Sequence, residues 1–150
     1  MRVAFAADHA GWALRERILA ELRVGGHEIV DVGTPEMVPG DDYPDAAAAV
    51  GRAIVNGNAD RGVLVCGSGV GAAIAANKIT AVRACMCHDS FSARQGVEDD
   101  DMNVLCLGAR VIGAELAAEL LRDFLAARFS GAERHRRRVA KVAALERVRA

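Results

Sequence analysis

Along the chain, short runs rich in β-branched and other apolar residues alternate with longer stretches in which apolar residues recur every three or four positions. The short runs read as buried strands and the longer stretches as helices. The pattern predicts a strand over 2–8, closed by Asp8-His9, then a helix over 11–24 whose apolar stripe is Trp12, Leu14, Ile18, Leu19 and Leu22. Gly25-Gly26 ends that helix. A strand over 28–32 runs into a long loop, 33–44, rich in Gly, Pro and Asp, and a helix over 45–55 stops at Asn56-Gly57-Asn58. The run Val63-Leu64-Val65-Cys66 passes through three alternating glycines into an Ala-rich helix that reaches about Asn77. A strand over 83–87 ends in His88-Asp89, and a helix over 90–97 leads into the acidic cluster Glu98-Asp99-Asp100-Asp101. A strand over 104–107 ends in Gly108-Ala109-Arg110, a strongly amphipathic helix spans 115–129, and a basic helix spans 133–149.

Five short strands alternating with helices imply a mostly parallel sheet covered on both faces. The expected fold is α/β: one doubly wound, Rossmann-like, five-stranded parallel sheet in strand order 2-1-3-4-5, with the basic helix at the C-terminus. No repeat, low-complexity segment or shift of composition divides residues 1–150, so a single domain is expected. Sheets of this kind bind ligands beyond the carboxyl ends of their strands. Asp8-His9, the long loop with Tyr43, Cys66 with its glycines, His88-Asp89 and Arg110 all fall there.

Composition narrows the setting. With 52% apolar and 26% charged residues the chain is ordinary for a globular protein. No apolar run approaches the ~20 residues of a membrane span, and the run after Arg2 stops at Asp8, too soon for a signal peptide. A cytoplasmic protein without membrane contact is expected. The four cysteines, at 66, 85, 87 and 106, lack the paired spacing of a zinc site and read as reduced thiols. Cys85, Cys87 and Cys106 are expected to be core residues. Arg134, Arg136, Arg137 and Arg138 form a basic run, yet a net charge of −1 speaks against a nucleic-acid binder. Arg134 and Arg138 stand four apart, on one helical face, where they can hold one phosphate between them, with Arg110 as a third ligand.

Cys66 stands where a helix begins. Unpaired N–H groups and the helix macrodipole favour anions there, a thiolate included, and the glycines let a ligand approach the backbone. The plain alternative is a small apolar residue closing a buried strand. Gly67, Gly69 and Ala72 can also be forced into a dinucleotide fingerprint, although it would follow the wrong strand of its unit. A cysteine-phosphatase loop needs an arginine where Ala72 stands, and the ending of a Walker A loop is missing. His27 and His135 read as surface residues, while His9 and His88 are open between structural and functional roles.

Taken together, Asp8-His9-Ala-Gly11, Gly33-Thr34, Asp42-Tyr43-Pro44, Cys66-Gly-Ser-Gly-Val-Gly71 with Ala-Asn77-Lys78, Gly108-Ala-Arg110-Val-Ile-Gly113 and Arg134-His-Arg-Arg-Arg138-Val cover nearly the whole chain. In this order and spacing the chain resembles the ribose-5-phosphate isomerase type B family, which includes the galactose-6-phosphate isomerase subunits. The resemblance implies an aldose–ketose isomerase that needs neither metal nor organic cofactor. It makes Cys66 the base that moves a proton between C1 and C2, and Ser68 with Gly67, Gly69, Val70 and Gly71 the holders of the enediolate oxygens. It places Asp8, His9 and Tyr43 at the sugar and Arg110, Arg134 and Arg138 at the phosphate. It implies homodimers or dimers of dimers whose sites lie between two subunits. The chemistry agrees, because a proton next to a carbonyl is weakly acidic and its removal needs a positioned base and a stabilised oxyanion.

Ser68 stands where the family more commonly has a threonine and keeps the hydroxyl; two other departures matter more. Asp99 stands where the family has the histidine that opens the sugar ring, and Asp100 replaces the asparagine after it. A carboxylate is a poor proton donor at neutral pH unless its surroundings change that. Asp99 opens the ring in an altered protonation state, or another group such as His9 does so, or the substrate needs no opening. The last case points to a tetrose 4-phosphate, whose 4-oxygen is esterified and closes no furanose. Ribose 5-phosphate is the expected substrate, with a tetrose 4-phosphate or hexose 6-phosphate as alternatives. A non-catalytic nucleotide- or sugar-phosphate-binding module is the alternative from another class.

Overall fold

The structure is a computed structural model and describes residues 1–146. Its strands are β1 (Arg2–Ala7), β2 (Glu28–Asp31), β3 (Arg61–Cys66), β4 (Ala84–Met86) and β5 (Val104–Gly108). The helices are α1 (Arg15–Val24), entered through a 3-10 turn at Trp12–Leu14, α2 (Tyr43–Val55), α3 (Val70–Ala76), α4 (Ser90–Asp100), α5 (Ala114–Ala126) and α6 (Glu133–Glu146). Residues 147–149, which complete the expected C-terminal helix, lie outside the described residues. Among the described residues no helix is long and apolar enough to cross a membrane.

All strand pairs are parallel, and the order across the sheet is β2-β1-β3-β5-β4. The expected order 2-1-3-4-5 is therefore wrong at its last two places. Residue character accounts for the exchange. Every residue of β5 is buried, as an interior strand requires, whereas β4 has only three residues, with Cys85 and Met86 exposed. A short strand with open side chains suits an edge, where one flank lacks a partner.

Alternation along the strands sends side chains to two cores. Val3, Phe5, Val63, Val65, Leu105 and Leu107 face α1, α4 and α5, where Ile18, Leu22, Val97, Leu120 and Phe124 cover them. Ala4, Ala6, Leu64, Cys66, Val104 and Cys106 face α2 and α3, covered by Ala47, Val50, Ala72 and Ala76. Small residues on this second face let α2 and α3 sit close to the sheet, so the short α3 starts right at the end of β3.

Several helix boundaries move: α5 ends at Ala126, short of the expected 129, and α1 proper begins only after the 3-10 turn. α2 begins at Tyr43, because Pro44 is accommodated in a first helical turn. α4 runs through Glu98, Asp99 and Asp100, which expectation had left outside it. Acids in a last turn oppose the macrodipole. Here nearby partners offset that cost: Gln95 Nε2 donates to Asp99 at 2.7 Å, and Arg83 pairs at 2.7 Å with Asp101, the left-handed cap.

Candidate active site

The carboxyl ends of β1, β3 and β5 meet at a cleft of about 290 Å³. Asp8, Tyr43, Cys66, Gly67, Ser68, Gly71 and Arg110 line it, all residues singled out in the sequence, together with Val111, which was not.

Cys66 ends β3 and is 5% exposed. Its Sγ accepts the N–H of Gly69 at 3.1 Å, and Gly69 holds φ at 83°, a left-handed conformation that a glycine adopts without strain. That turn starts α3 at Val70 and aims an amide at the sulfur, so a thiolate has a hydrogen-bond donor in place. The exposed Ser68 carries its hydroxyl on the same turn, accepting the Val70 N–H at 3.3 Å.

Asp8, also 5% exposed, is fixed from both sides. Its N–H donates to the Val65 carbonyl at 3.1 Å, and its Oδ1 accepts the Gly11 N–H at 2.8 Å. Arg110 N–H donates to the Gly67 carbonyl at 3.0 Å, and the exposed Arg110 forms no ion pair with any described residue. Tyr43 stands at the start of α2 and lays its ring against Gly71. The cleft thus combines a buried thiol, a hydroxyl, a loop of backbone amides, a fixed carboxylate and a free guanidinium. These are the parts a proton transfer beside a phosphorylated carbonyl compound needs.

His9 does not line the cleft. Its N–H and ring Nδ1 meet Asp41 Oδ1 at 2.7 and 2.9 Å, which ties it to the long loop. The hydrogen bond to Asp41 raises its pKa above the ordinary imidazole range. Gly69, Val70, Asp99, Asp100, Arg134 and Arg138 are absent from the cleft lining as well. Asp99 lies 3.3 Å from His135 Nδ1, Asp100 lines a separate cavity of about 790 Å³ between α6 and the segment from α3 to α4, and Arg134 and Arg138 are exposed on α6. That larger cavity holds none of the other expected site residues.

Three expectations about single residues change. His135 is buried rather than on the surface, held between Ser130 Oγ at 2.6 Å and Asp99. Cys87 and Cys106 are core residues, but Cys85 is exposed and lines the larger cavity. Hydrogen bonding with Cys87 lowers Cys85 to about 7, while Cys87 is pushed up. His88 emerges with a definite partner, the Gly108 N–H at 3.0 Å. Asp41, one of three acids in the loop with Glu36 and Asp42, carries no sequence signal that would have singled it out.

Comparison with known proteins gives this arrangement its class, an aldose–ketose isomerase. The model of the Ribose/Galactose Isomerase family matches residues 3–142, and the chain belongs to that family. It is 40% identical over 148 residues to ribose-5-phosphate isomerase B of Escherichia coli strain K12, covering 99% of this chain and 98% of that one. It is 38% identical over 131 residues to a D-erythrulose-4-phosphate isomerase of Pectobacterium atrosepticum, covering 87% and 86%. Among solved structures, Clostridium thermocellum ribose-5-phosphate isomerase B superposes with a TM-score of 0.96 at 39% identity, over 100% of both chains. Membership of an isomerase family sets aside the non-catalytic binding module.

Proposed function

We propose that this chain interconverts ribose 5-phosphate and ribulose 5-phosphate through an enediolate, with Cys66 as the base. The observation that carries this reading is the convergence of Cys66, Ser68, Asp8 and Arg110 in one cleft. The Cys66 thiolate takes the proton from C2 as the electron pair moves toward the carbonyl oxygen at C1; the proton on O2 passes to O1, and as the C2 carbonyl forms the thiol returns its proton to C1. Ser68 and the amides of Gly67 and Gly71, which line the cleft, are assigned to the oxygens on which charge develops. Asp8 orients the sugar hydroxyls, and Arg110 binds the phosphate.

Arg134 and Arg138 complete the phosphate site from a second copy of the chain. In support, both are exposed, neither forms an ion pair with a described residue, and neither lines the cleft of its own chain. Val70 and Ile74 on α3, Met86 at the sheet edge and Val111 in the cleft wall are exposed apolar residues suited to a subunit contact. A homodimer or dimer of dimers with shared sites follows from this reading.

The state of Asp99 favours a second substrate class. Its two oxygens are engaged by Gln95 and His135, away from the cleft of its own chain. A tetrose 4-phosphate needs no ring opening, and a relative named for D-erythrulose 4-phosphate stands at 38% identity. A turnover assay over four-, five- and six-carbon sugar phosphates decides between them: the pentose reading requires the highest kcat/KM with ribose 5-phosphate, and faster turnover of the tetrose overturns it. Asp99→His is expected to raise turnover of the cyclic pentose phosphate several-fold and leave the tetrose unchanged. Equal effects on both would remove ring opening as the role of this position.

A further inference from the structure

β4 ends at Met86, and its last ladder bond runs from the Cys87 N–H to the Cys106 carbonyl at 3.3 Å. Beyond it the chain turns away into α4, with Asp89 as N-cap, accepting the Ser92 N–H at 2.7 Å. The next donor on the β4 side of β5, the N–H of the buried Gly108, has no backbone partner there. His88 supplies one: its Nε2 accepts the Gly108 N–H at 3.0 Å. The ring must be neutral there, with Nε2 unprotonated, and burial holds its pKa below the ordinary imidazole value.

The Gly108 peptide is joined to the cleft at several points. It lies directly on the Ser68 backbone, so that a Cβ at 108 would come within 2.6 Å of the Ser68 carbonyl. The next two amides, of Ala109 and Arg110, donate to the carbonyls of Cys66 at 2.9 Å and Gly67 at 3.0 Å. The end of β5 and the Cys66 loop are therefore stitched edge to edge, and His88 fastens the seam at its start.

We propose that His88 is a positioning residue: by accepting the Gly108 N–H it fixes the spacing between the Cys66–Ser68 loop and the Arg110 guanidinium. It does not line the cleft and is assigned no contact with substrate. The proposal rests on the isomerase reading of that cleft. A buried N–H stripped of its acceptor is costly and relaxes by shifting the peptide, and a displacement of ~1 Å in a catalytic constellation can cost ~10²-fold in rate.

The test compares His88→Leu, which has no acceptor, with His88→Gln, whose Oε1 reaches the position of the imidazole Nε2. The Leu variant is expected to lose about tenfold or more in kcat with KM moving less than about threefold. The Gln variant is expected to stay within about threefold of the parent in both. A full kcat in the Leu variant, or an equal loss in both variants at unchanged melting temperature, overturns the proposal. Hydrogen exchange at the Gly108 amide decides independently of turnover. Slow exchange kept in the Gln variant and lost in the Leu variant supports the assignment, whereas equal protection in all three proteins overturns it. Should the Leu variant fail to fold, a Gln variant that loses both Gly108 protection and kcat also overturns it. A parent that turns over no sugar phosphate sinks the isomerase reading, and the exchange measurement still decides the role of His88.

Discussion

Cys66→Ala is expected to lower kcat for sugar phosphate isomerisation by about 10³-fold, in line with the 10²–10⁴ that a positioned general base contributes, while substrate affinity stays within a few-fold. The sulfur is buried with one amide aimed at it, and the groups assigned to sugar and phosphate, Asp8 and Arg110, are held by backbone contacts that do not pass through the thiol. Alanine removes one heavy atom from a face already lined by Ala4, Ala6 and Ala72, so the fold should survive. Calorimetric titration with ribulose 5-phosphate reads affinity, and a coupled assay reads turnover. A variant that keeps turnover within tenfold of the parent would sink the base assignment. The same variant tests the shared site. Mixed with Arg138→Ala chains and allowed to exchange subunits, it should recover about a quarter of parental activity, because half the dimers are then mixed and each carries one undamaged site. No recovery after proven exchange would place Arg138 and Cys66 in sites of the same chain.

Much of this was legible in the chain because the signals were local. Each strand is a short apolar run, and the passage from Val63 to Ile74 shows strand, turn and helix in one stretch. Asp8, Ser68 and Arg110 all follow strand ends, and a parallel sheet gathers its strand ends on one side whatever their order. The order itself was not legible from alternation. It depends on which strand tolerates an open flank, and the exposed Cys85 and Met86 of β4 decide that against its taking the interior place. The reach of α4 through its acids depends on Gln95 and Arg83, the latter distant in sequence. His135 reads as a solvated residue in an Arg-rich helix until Ser130 and Asp99 are seen beside it. His88 sat at a strand end and was open between two roles. Only the three-dimensional neighbour of its ring, an amide twenty residues away, selects one.

Gly11→Ala is expected to be among the most destabilising single-methyl changes in the chain, costing more than about 3 kcal/mol, at or beyond the top of the usual range for overpacking. A Cβ at this position would come within 2.2 Å of the Val65 carbonyl oxygen, 2.4 Å of its carbon and 2.9 Å of the Cys66 nitrogen. All three are backbone atoms of an interior strand, so no side chain can swing aside to make room. Relief would have to come from the turn after β1. That turn is fixed by the Gly11 N–H, which donates to the Asp8 carbonyl at 3.0 Å and to its side chain at 2.8 Å, and by the Asp8 N–H on the same Val65 carbonyl. Lifting Gly11 therefore pulls Asp8 away from the end of β3, next to Cys66. The loss should appear twice: as a fall in melting temperature of about 10 °C or more for a chain of this size, and as a loss of kcat/KM in whatever fraction remains folded. Gly113→Ala serves as the control, since nothing lies within 4 Å of its Cβ position, and less than about 1 kcal/mol is expected there. A Gly11→Ala protein melting within 2 °C (~0.5 kcal/mol) of the parent would show that the turn yields without cost. The close approach of the turn after β1 to β3 would then not be what holds Asp8 beside Cys66.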